Sequence, residues 1–250
     1  MFEFSKFTRG NPCYPPLIFL HGFLGCKEDW EEMIPFFESR YYCIALDLPG
    51  HGDTPYCQEI LSALKTEILQ RGSLQGTEKP ILLGYSIGGR IALQLKEIAK
   101  ALVVLSGHPG LKEQKQKEDR LKSDEIWSAK LLTLPLEAFF AEWYAQPLFH
   151  PSLGNPDFLQ KIAQRRIKQN PENLSYALLQ MSLAHQSYTD DFSCPTLFLH
   201  GENDLKYRDL YRALPKTTSV HQIDGCGHAV HIESPAISSK KILNWLELIS

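Results

Sequence analysis

Short apolar runs recur along the chain, too short for buried helices and too continuous for half-exposed strands. Leu17 to Leu20 (LIFL), Tyr42 to Leu46, Ile81 to Leu83, Ala101 to Leu105 and Thr196 to Leu199 are bounded by Gly, Pro or charged residues. This is the pattern of strands buried on both faces. Helical periodicity falls between or after them, over Glu59 to Arg71, Gly89 to Lys100 and, following Pro235, Ala236 to Leu248. Such alternation predicts a mostly parallel sheet with helices on both faces. A further strand-like stretch, SVHQI, precedes the last helix. From about Lys112 to Asp190 the rhythm stops. That segment is helical in pattern, rich in Trp, Tyr, Arg and Lys, and has no convincing strand, which predicts a helical cap inserted over the sheet. Its opening run, KEQKQKEDRLKSDE, reads as a solvated helix face.

Composition narrows the picture. With 250 residues, 43% hydrophobic and 11% aromatic, the chain suits one α/β domain, 1–250, around a single core. Lys and Arg total 26 against 29 Asp and Glu, a net charge of −3, so no face is obliged to bind nucleic acid. No apolar run approaches the roughly 18 residues that span a membrane, and no basic-then-apolar leader opens the chain. The expectation is a cytoplasmic protein without membrane insertion. Six scattered cysteines without C-x-x-C spacing fit reduced thiols. Cys226, two residues before His228, is a weak candidate nucleophile beside the serine described next.

Gly84-Tyr85-Ser86-Ile87-Gly88 follows the strand ILL and opens the helical run RIALQLKEIAK. In that setting G-x-S-x-G places a serine on a strained strand-to-helix turn, with glycines giving the backbone room. A serine keeps its proton at neutral pH and needs a base, which itself needs an orienting acid. The strand TLFLHG ends in Glu202-Asn203-Asp204, and a loop before the last helix carries His228 in IDGCGHAVHIESP. Asp204 is the preferred acid, with Glu202 the nearer and Asp209 the farther rival. His231 reads as a structural neighbour. His21, His51 and His108 could line the pocket, although a lone His beside Gly is more often a turn or packing residue. An anion formed in the reaction needs preorganised donors. The loop His21-Gly22-Phe23-Leu24-Gly25 can supply the Phe23 N–H, and Ile87, just after the serine, the second donor of an oxyanion hole. No metal-ligand spacing and no dinucleotide glycine motif are present, so the site is expected to need no cofactor.

The order Ser86, Asp204, His228 resembles that of the α/β-hydrolase fold. A narrower resemblance rests on HGFLGCKEDW, DLPGHGDT, GYSIGGRIAL, SGHPGL followed by Arg120 and Ser123-Asp124, FFAEWYAQPLF and HGENDLKYR. From about Leu17 to the C-terminus the chain is similar to the 2-succinyl-6-hydroxy-2,4-cyclohexadiene-1-carboxylate synthases of menaquinone biosynthesis. It differs in carrying Ile87 where that family more often has Met or Leu. The resemblance implies a lyase. Its substrate would be a small polycarboxylate, 2-succinyl-5-enolpyruvyl-6-hydroxy-3-cyclohexene-1-carboxylate, and pyruvate would be eliminated after the triad serine takes a carbon-bound proton. It also implies that Arg90, Arg120 and Arg166 bind substrate carboxylates, with Arg165 the rival of Arg166, and that Tyr85 and Trp143 line the pocket. Two other readings stay open: a serine hydrolase of a carboxylate-bearing ester or carbon–carbon bond, and a ligand-binding protein that keeps the hydrolase fold.

Overall fold

Each of the five apolar runs forms a strand in the computed structural model, which describes residues 2–73, 79–149, 162, 163 and 165–249. The strands are β1 (Lys6–Arg9), β2 (Pro16–Leu20), β3 (Tyr42–Leu46), β4 (Ile81–Tyr85), β5 (Ala101–Leu105), β6 (Thr196–Gly201) and β7 (Ser219–Ile223). They make one sheet ordered β1-β3-β2-β4-β5-β6-β7. Only β1 runs antiparallel, against β3; the remaining pairs are parallel. All of β2, β4, β5 and β6 is buried, as continuous apolar strands covered on both faces must be. β1 has no counterpart among the apolar runs. Its KFTR is a half-exposed edge strand, and the register of Lys6 opposite Leu46 and Arg9 opposite Cys43 gives it order that its own sequence does not.

Because β2 pairs with β3 on one side and β4 on the other, the strand order reverses at β2. The carboxyl ends of β2 and β4 therefore open a crevice, where open α/β sheets bind ligands. The helices over the sheet are α1 (Ile60–Ser73) and α2 (Ile87–Gln94). α2 is shorter than its periodicity predicts. It gives way to a 3-10 turn over Lys96–Ile98 and extended backbone at Ala99, because the chain must reverse within a few residues to enter β5.

Between β5 and β6 lie α3 (Gln114–Thr133), α4 (Leu136–Tyr144) and α5 (Pro171–Gln180). Pro135 separates α3 from α4, since proline cannot continue a helix. Asn170 starts α5 by accepting the Asn173 N–H at 2.9 Å, with Pro171 at the first helical position. α3 packs on α5, where the Ser128 and Ser175 hydroxyls meet at 2.6 Å. This segment leaves and rejoins the sheet at one point, with Thr189 N–H bonded to the Pro109 carbonyl at 2.9 Å. Then follow α6 (Leu205–Arg212), α7 (Val230–Glu233) and α8 (Pro235–Leu248). Phe19 anchors the core with Trp30 and Phe37, at ring separations of 5.3 and 5.9 Å, all three fully buried. No helix among the described residues is long and apolar enough to cross a membrane.

Candidate active site

β4 delivers its last residue straight into the turn that carries Ser86. There the backbone stands at φ +51° and ψ −108°, a conformation that costs an L-residue about 1–3 kcal/mol. The turn is held open by the sheet, with Ser86 N–H bonded to the Leu105 carbonyl at 2.8 Å, and by α2, with Arg90 N–H bonded to the Ser86 carbonyl at 3.0 Å. The flanking glycines are sterically required. A Cβ at Gly84 would lie 2.3 Å from the Gly88 carbonyl, and one at Gly88 would lie 2.0 Å from the Leu20 carbonyl oxygen. α2 begins at the next residue, so its N-terminal N–H groups face the serine and favour negative charge there.

The carboxyl end of β6 carries Asp204, and the loop after β7 carries His228. Both are buried. Nδ1 of His228 lies 2.7 Å from Oδ2 of Asp204. A carboxylate oxygen accepts, so Nδ1 donates, and in the neutral ring this leaves the lone pair on Nε2. That Nε2 has no hydrogen-bond partner among the described residues, so the Ser86 hydroxyl is not bonded to it in this state. The rival acids are engaged elsewhere: Glu202 accepts the Gly225 N–H at 2.8 Å, and Asp209 pairs with Arg208 and Arg212 on the surface.

The loop after β2 runs beside Ser86. A Cβ on Gly22 would fall 2.6 Å from the Tyr85 ring and 3.6 Å from the Ser86 Cβ, so the close approach depends on glycine. His21 fixes this loop to the one after β3, its Nε2 accepting the Leu48 N–H at 2.9 Å while Nδ1 donates to the Gly22 carbonyl at 2.7 Å. Neither the Phe23 nor the Ile87 N–H has an acceptor among the described residues.

Phe23, Ser86 and Ile87 border a cavity of about 710 Å3, which also reaches Asp204, Arg90 and Arg120. Arg90 is buried and donates to the Met181 carbonyl at 2.7 Å. Burial, and then the Arg120 guanidinium, push its pKa down to about 10, which leaves it a cation at neutral pH. Arg120, on α3, holds both oxygens of the buried Asp124 at 2.9 and 2.8 Å. Trp143 lines the same cavity, stacked with Phe139 and 4.9 Å from the Phe23 ring.

Arg166 and Tyr85 lie apart from this space. They border a smaller recess that also touches Ser86 and Trp143. Arg166 is buried and already engaged: it bonds the Leu24 carbonyl at 2.9 Å, Asp29 at 3.0 Å and the Tyr144 hydroxyl. Arg165 turns outward to the Glu28 carbonyl and Glu31, so of the two Arg166 faces inward. The resemblance implies three arginines on one ligand; this geometry places two in the main cavity and the third in a clamp beneath the Phe23 loop. Burial drives the Tyr85 phenol well above its ordinary range, so it stays protonated.

His21, His51 and His108 are not among the residues lining the main cavity. Burial lowers all three, His108 to about 3 with help from Lys206, Arg90 and Arg120. His231, lowered to about 3 by burial against the opposing pull of Asp29, lies 4.2 Å from the Tyr85 ring and 4.8 Å from Trp30. Cys226 is buried, and burial raises its thiol to about 11, so it is no thiolate at neutral pH. Sequence reasoning passed over Lys206 and Asn203, both on the main cavity. Their signal was position, Lys206 two after and Asn203 one before Asp204 at a sheet edge.

A mostly parallel sheet with a serine elbow and a carboxylate–histidine pair at its carboxyl edge defines an alpha/beta hydrolase, and the model of the alpha/beta hydrolase family matches residues 17–237. A 2-succinyl-6-hydroxy-2,4-cyclohexadiene-1-carboxylate synthase of Klebsiella pneumoniae is 34% identical over 241 residues, 91% of this chain and 92% of that one. One of Escherichia coli K12 is 35% identical over 245 residues, 93% and 94% of the two chains. Among solved structures, MenH from S. aureus superposes with a TM-score of 0.89 at 26% identity, covering 100% of this chain and 99% of its own. A thermophilic esterase from Thermogutta terrifontis shares the fold, with a TM-score of 0.81 at 23% identity over 99% and 94%. The chain belongs to the alpha/beta hydrolase family and, within it, to the 2-succinyl-6-hydroxy-2,4-cyclohexadiene-1-carboxylate synthases.

Proposed function

We propose that the chain eliminates pyruvate from 2-succinyl-5-enolpyruvyl-6-hydroxy-3-cyclohexene-1-carboxylate, giving 2-succinyl-6-hydroxy-2,4-cyclohexadiene-1-carboxylate. The double-bond positions define the step. A proton leaves C2, the ring double bond moves from C3–C4 to C2–C3, and a new one forms at C4–C5 as the C5–oxygen bond breaks. The departing enolate of pyruvate gains a proton and becomes pyruvate. The C2 proton is acidic because it lies next to the succinyl ketone, so removing it places charge on that carbonyl oxygen.

The residues suit this sequence. His228, oriented by Asp204, takes the Ser86 proton, and the serine oxygen takes the proton from C2. The N–H groups of Phe23 and Ile87 receive the enolate oxygen. Arg90 and Arg120 bind carboxylates, Trp143 packs on the ring, and Tyr85 and Arg166 shape the recess behind the serine. Segment 112–190, of which 150–161 and 164 lie outside the described residues, serves as the cap of a single domain, 1–250, acting in the cytoplasm without a cofactor. A cap that excludes water protects the enolate from side reactions.

The observation that carries the reading is one cavity lined by Ser86 together with Arg90 and Arg120. An esterase with an apolar acyl pocket has no use for them. Incubation of the protein with the enolpyruvyl substrate should release pyruvate stoichiometrically. Turnover of nitrophenyl esters with no pyruvate would establish a hydrolase instead. Ligand-dependent function in the cell that survives Ser86→Ala undiminished would establish a binding protein.

A further inference from the structure

We infer that Lys206 binds one of the substrate's carboxylates, completing with Arg90 and Arg120 a set of three cations in the catalytic cavity. This rests on the proposed polycarboxylate substrate, whose ring, succinyl and enolpyruvyl groups each bear one carboxylate.

The three cations lie on one cavity, delivered by three elements: Arg90 by α2, Arg120 by α3 and Lys206 by the first turn of α6. Their compensation differs. Arg120 is matched by Asp124, whose carboxylate also accepts the Ser182 hydroxyl at 2.7 Å. Among the described residues Arg90 has only an uncharged carbonyl as side-chain partner. Lys206 has no ion pair and no hydrogen bond among the described residues; its ammonium stands 5.9 Å from the Tyr207 ring. Asp204, the carboxylate whose charge acts on Lys206, is committed through Oδ2 to His228 and through Oδ1 to the Tyr207 N–H at 3.4 Å.

Lys206 remains exposed, yet its pKa is lowered. Surrounding protein contributes most, then Arg120, with Arg90 adding to it and Asp204 opposing. Three like charges on one cavity, of which only Arg120 has an ion pair among the described residues, are costly unless an anion joins them. A dicarboxylate or tricarboxylate seated between them removes that repulsion.

The test is steady-state kinetics of pyruvate release by Lys206→Gln and Lys206→Arg, with binding of 2-succinylbenzoate, the dehydration product of the diene, measured by calorimetry on the same proteins. Lys206→Gln should raise KM by about tenfold or more, as loss of a charge-assisted hydrogen bond does, with kcat falling less. Lys206→Arg should recover most of the loss, and the KM of wild type, but less that of Lys206→Gln, should rise with salt. A KM within about twofold of wild type in Lys206→Gln, the mark of a solvated surface charge, overturns the assignment. If wild type releases no pyruvate, the proposed reaction fails and Lys206 is judged on the calorimetry alone. Weaker binding of 2-succinylbenzoate by Lys206→Gln then supports a carboxylate site, and equal or absent binding by both proteins overturns it.

Discussion

Replacing Arg166 by Met separates a structural clamp from a simple substrate contact. In the wild type the guanidinium is buried, 3.0 Å from Asp29 and 2.9 Å from the Leu24 carbonyl, with the Tyr144 hydroxyl as third partner. Methionine fills much of the space but leaves the Asp29 carboxylate, 2% exposed, without its main counter-charge. Breaking a buried pair from one side costs about 3–5 kcal/mol. Arg165 still stands 3.7 Å from the other Asp29 oxygen, which places the expected loss near the lower end, about 3 kcal/mol. At about 2–4 °C per kcal/mol for a chain of this size, Tm should fall by roughly 6–12 °C. Urea unfolding and calorimetry at pH 7 measure the loss, and Asp29→Asn added to Arg166→Met should restore at least half of it by removing the stranded charge. Activity assayed well below the transition should also fall, because the Leu24 carbonyl is one residue from the Phe23 N–H. A single variant as stable as wild type, or a double variant no better than the single, would refute the clamp.

Ser86→Ala and His228→Ala should each lower kcat by roughly 100-fold or more, as loss of a general base does, while 2-succinylbenzoate binding measured by calorimetry stays near wild type. Arg90→Ala and Arg120→Ala should raise KM for pyruvate release by about tenfold or more; Arg120→Ala should also lower stability in urea, since it strands Asp124 in a buried site. Stability should decline below pH 6.5. His108 and His231, both held near 3 by burial, stay neutral in the fold while the unfolded chain protonates them. Their stabilisation is therefore whole above pH 6.5 and is lost as pH falls, by about 2 kcal/mol each at pH 5. Urea midpoints between pH 5 and 7 check this, and His231→Phe should flatten the slope.

The strands were legible because burial on both faces writes itself as unbroken apolar runs, as in Leu17 to Leu20 and Ala101 to Leu105. β1 was not, since a half-exposed edge strand takes its order from a partner rather than from its own residues. The C-terminal limit of α2 was misjudged for a similar reason: Lys96 to Lys100 keep helical periodicity, but the distance to β5 forces the turn. Within the site, the serine elbow and its order relative to Asp204 and His228 could be read because backbone geometry demands glycine and chain order follows strand order. Which partner each arginine chooses could not. Arg166 and Arg165 are adjacent in sequence and opposite in space, and the carboxylate that captures Arg166 lies 137 residues away. Lys206 was hidden for the converse reason. Nothing in its own neighbourhood distinguishes it from a solvated lysine, and its setting is made by α2 and α3.

These placements divide the proposed reaction between two parts of the chain. Ser86, Asp204 and His228 stand at the ends of β4, β6 and β7 or in the loops just beyond, so their mutual geometry is set by strand register in a rigid sheet. Arg120 and Trp143 belong to the insertion between β5 and β6, and the clamp of Arg166 and Gln169 on the Leu24 carbonyl joins that insertion to the Phe23 loop. An esterase and an eliminating lyase can therefore share the sheet unchanged, because a serine alkoxide equivalent serves as nucleophile or as base according to which atom is presented at its oxygen. What decides is the cavity above it. In the proposed reaction, cations that hold the substrate by its carboxylates would fix the C2 hydrogen, rather than a carbonyl carbon, toward Ser86. Weakening those cations should then release substrate before it opens hydrolysis, so loss of pyruvate formation in the arginine variants should come with no gain of ester turnover. Ester hydrolysis appearing in Arg90→Ala or Arg120→Ala would mean that these cations suppress hydrolysis directly and do more than hold the substrate.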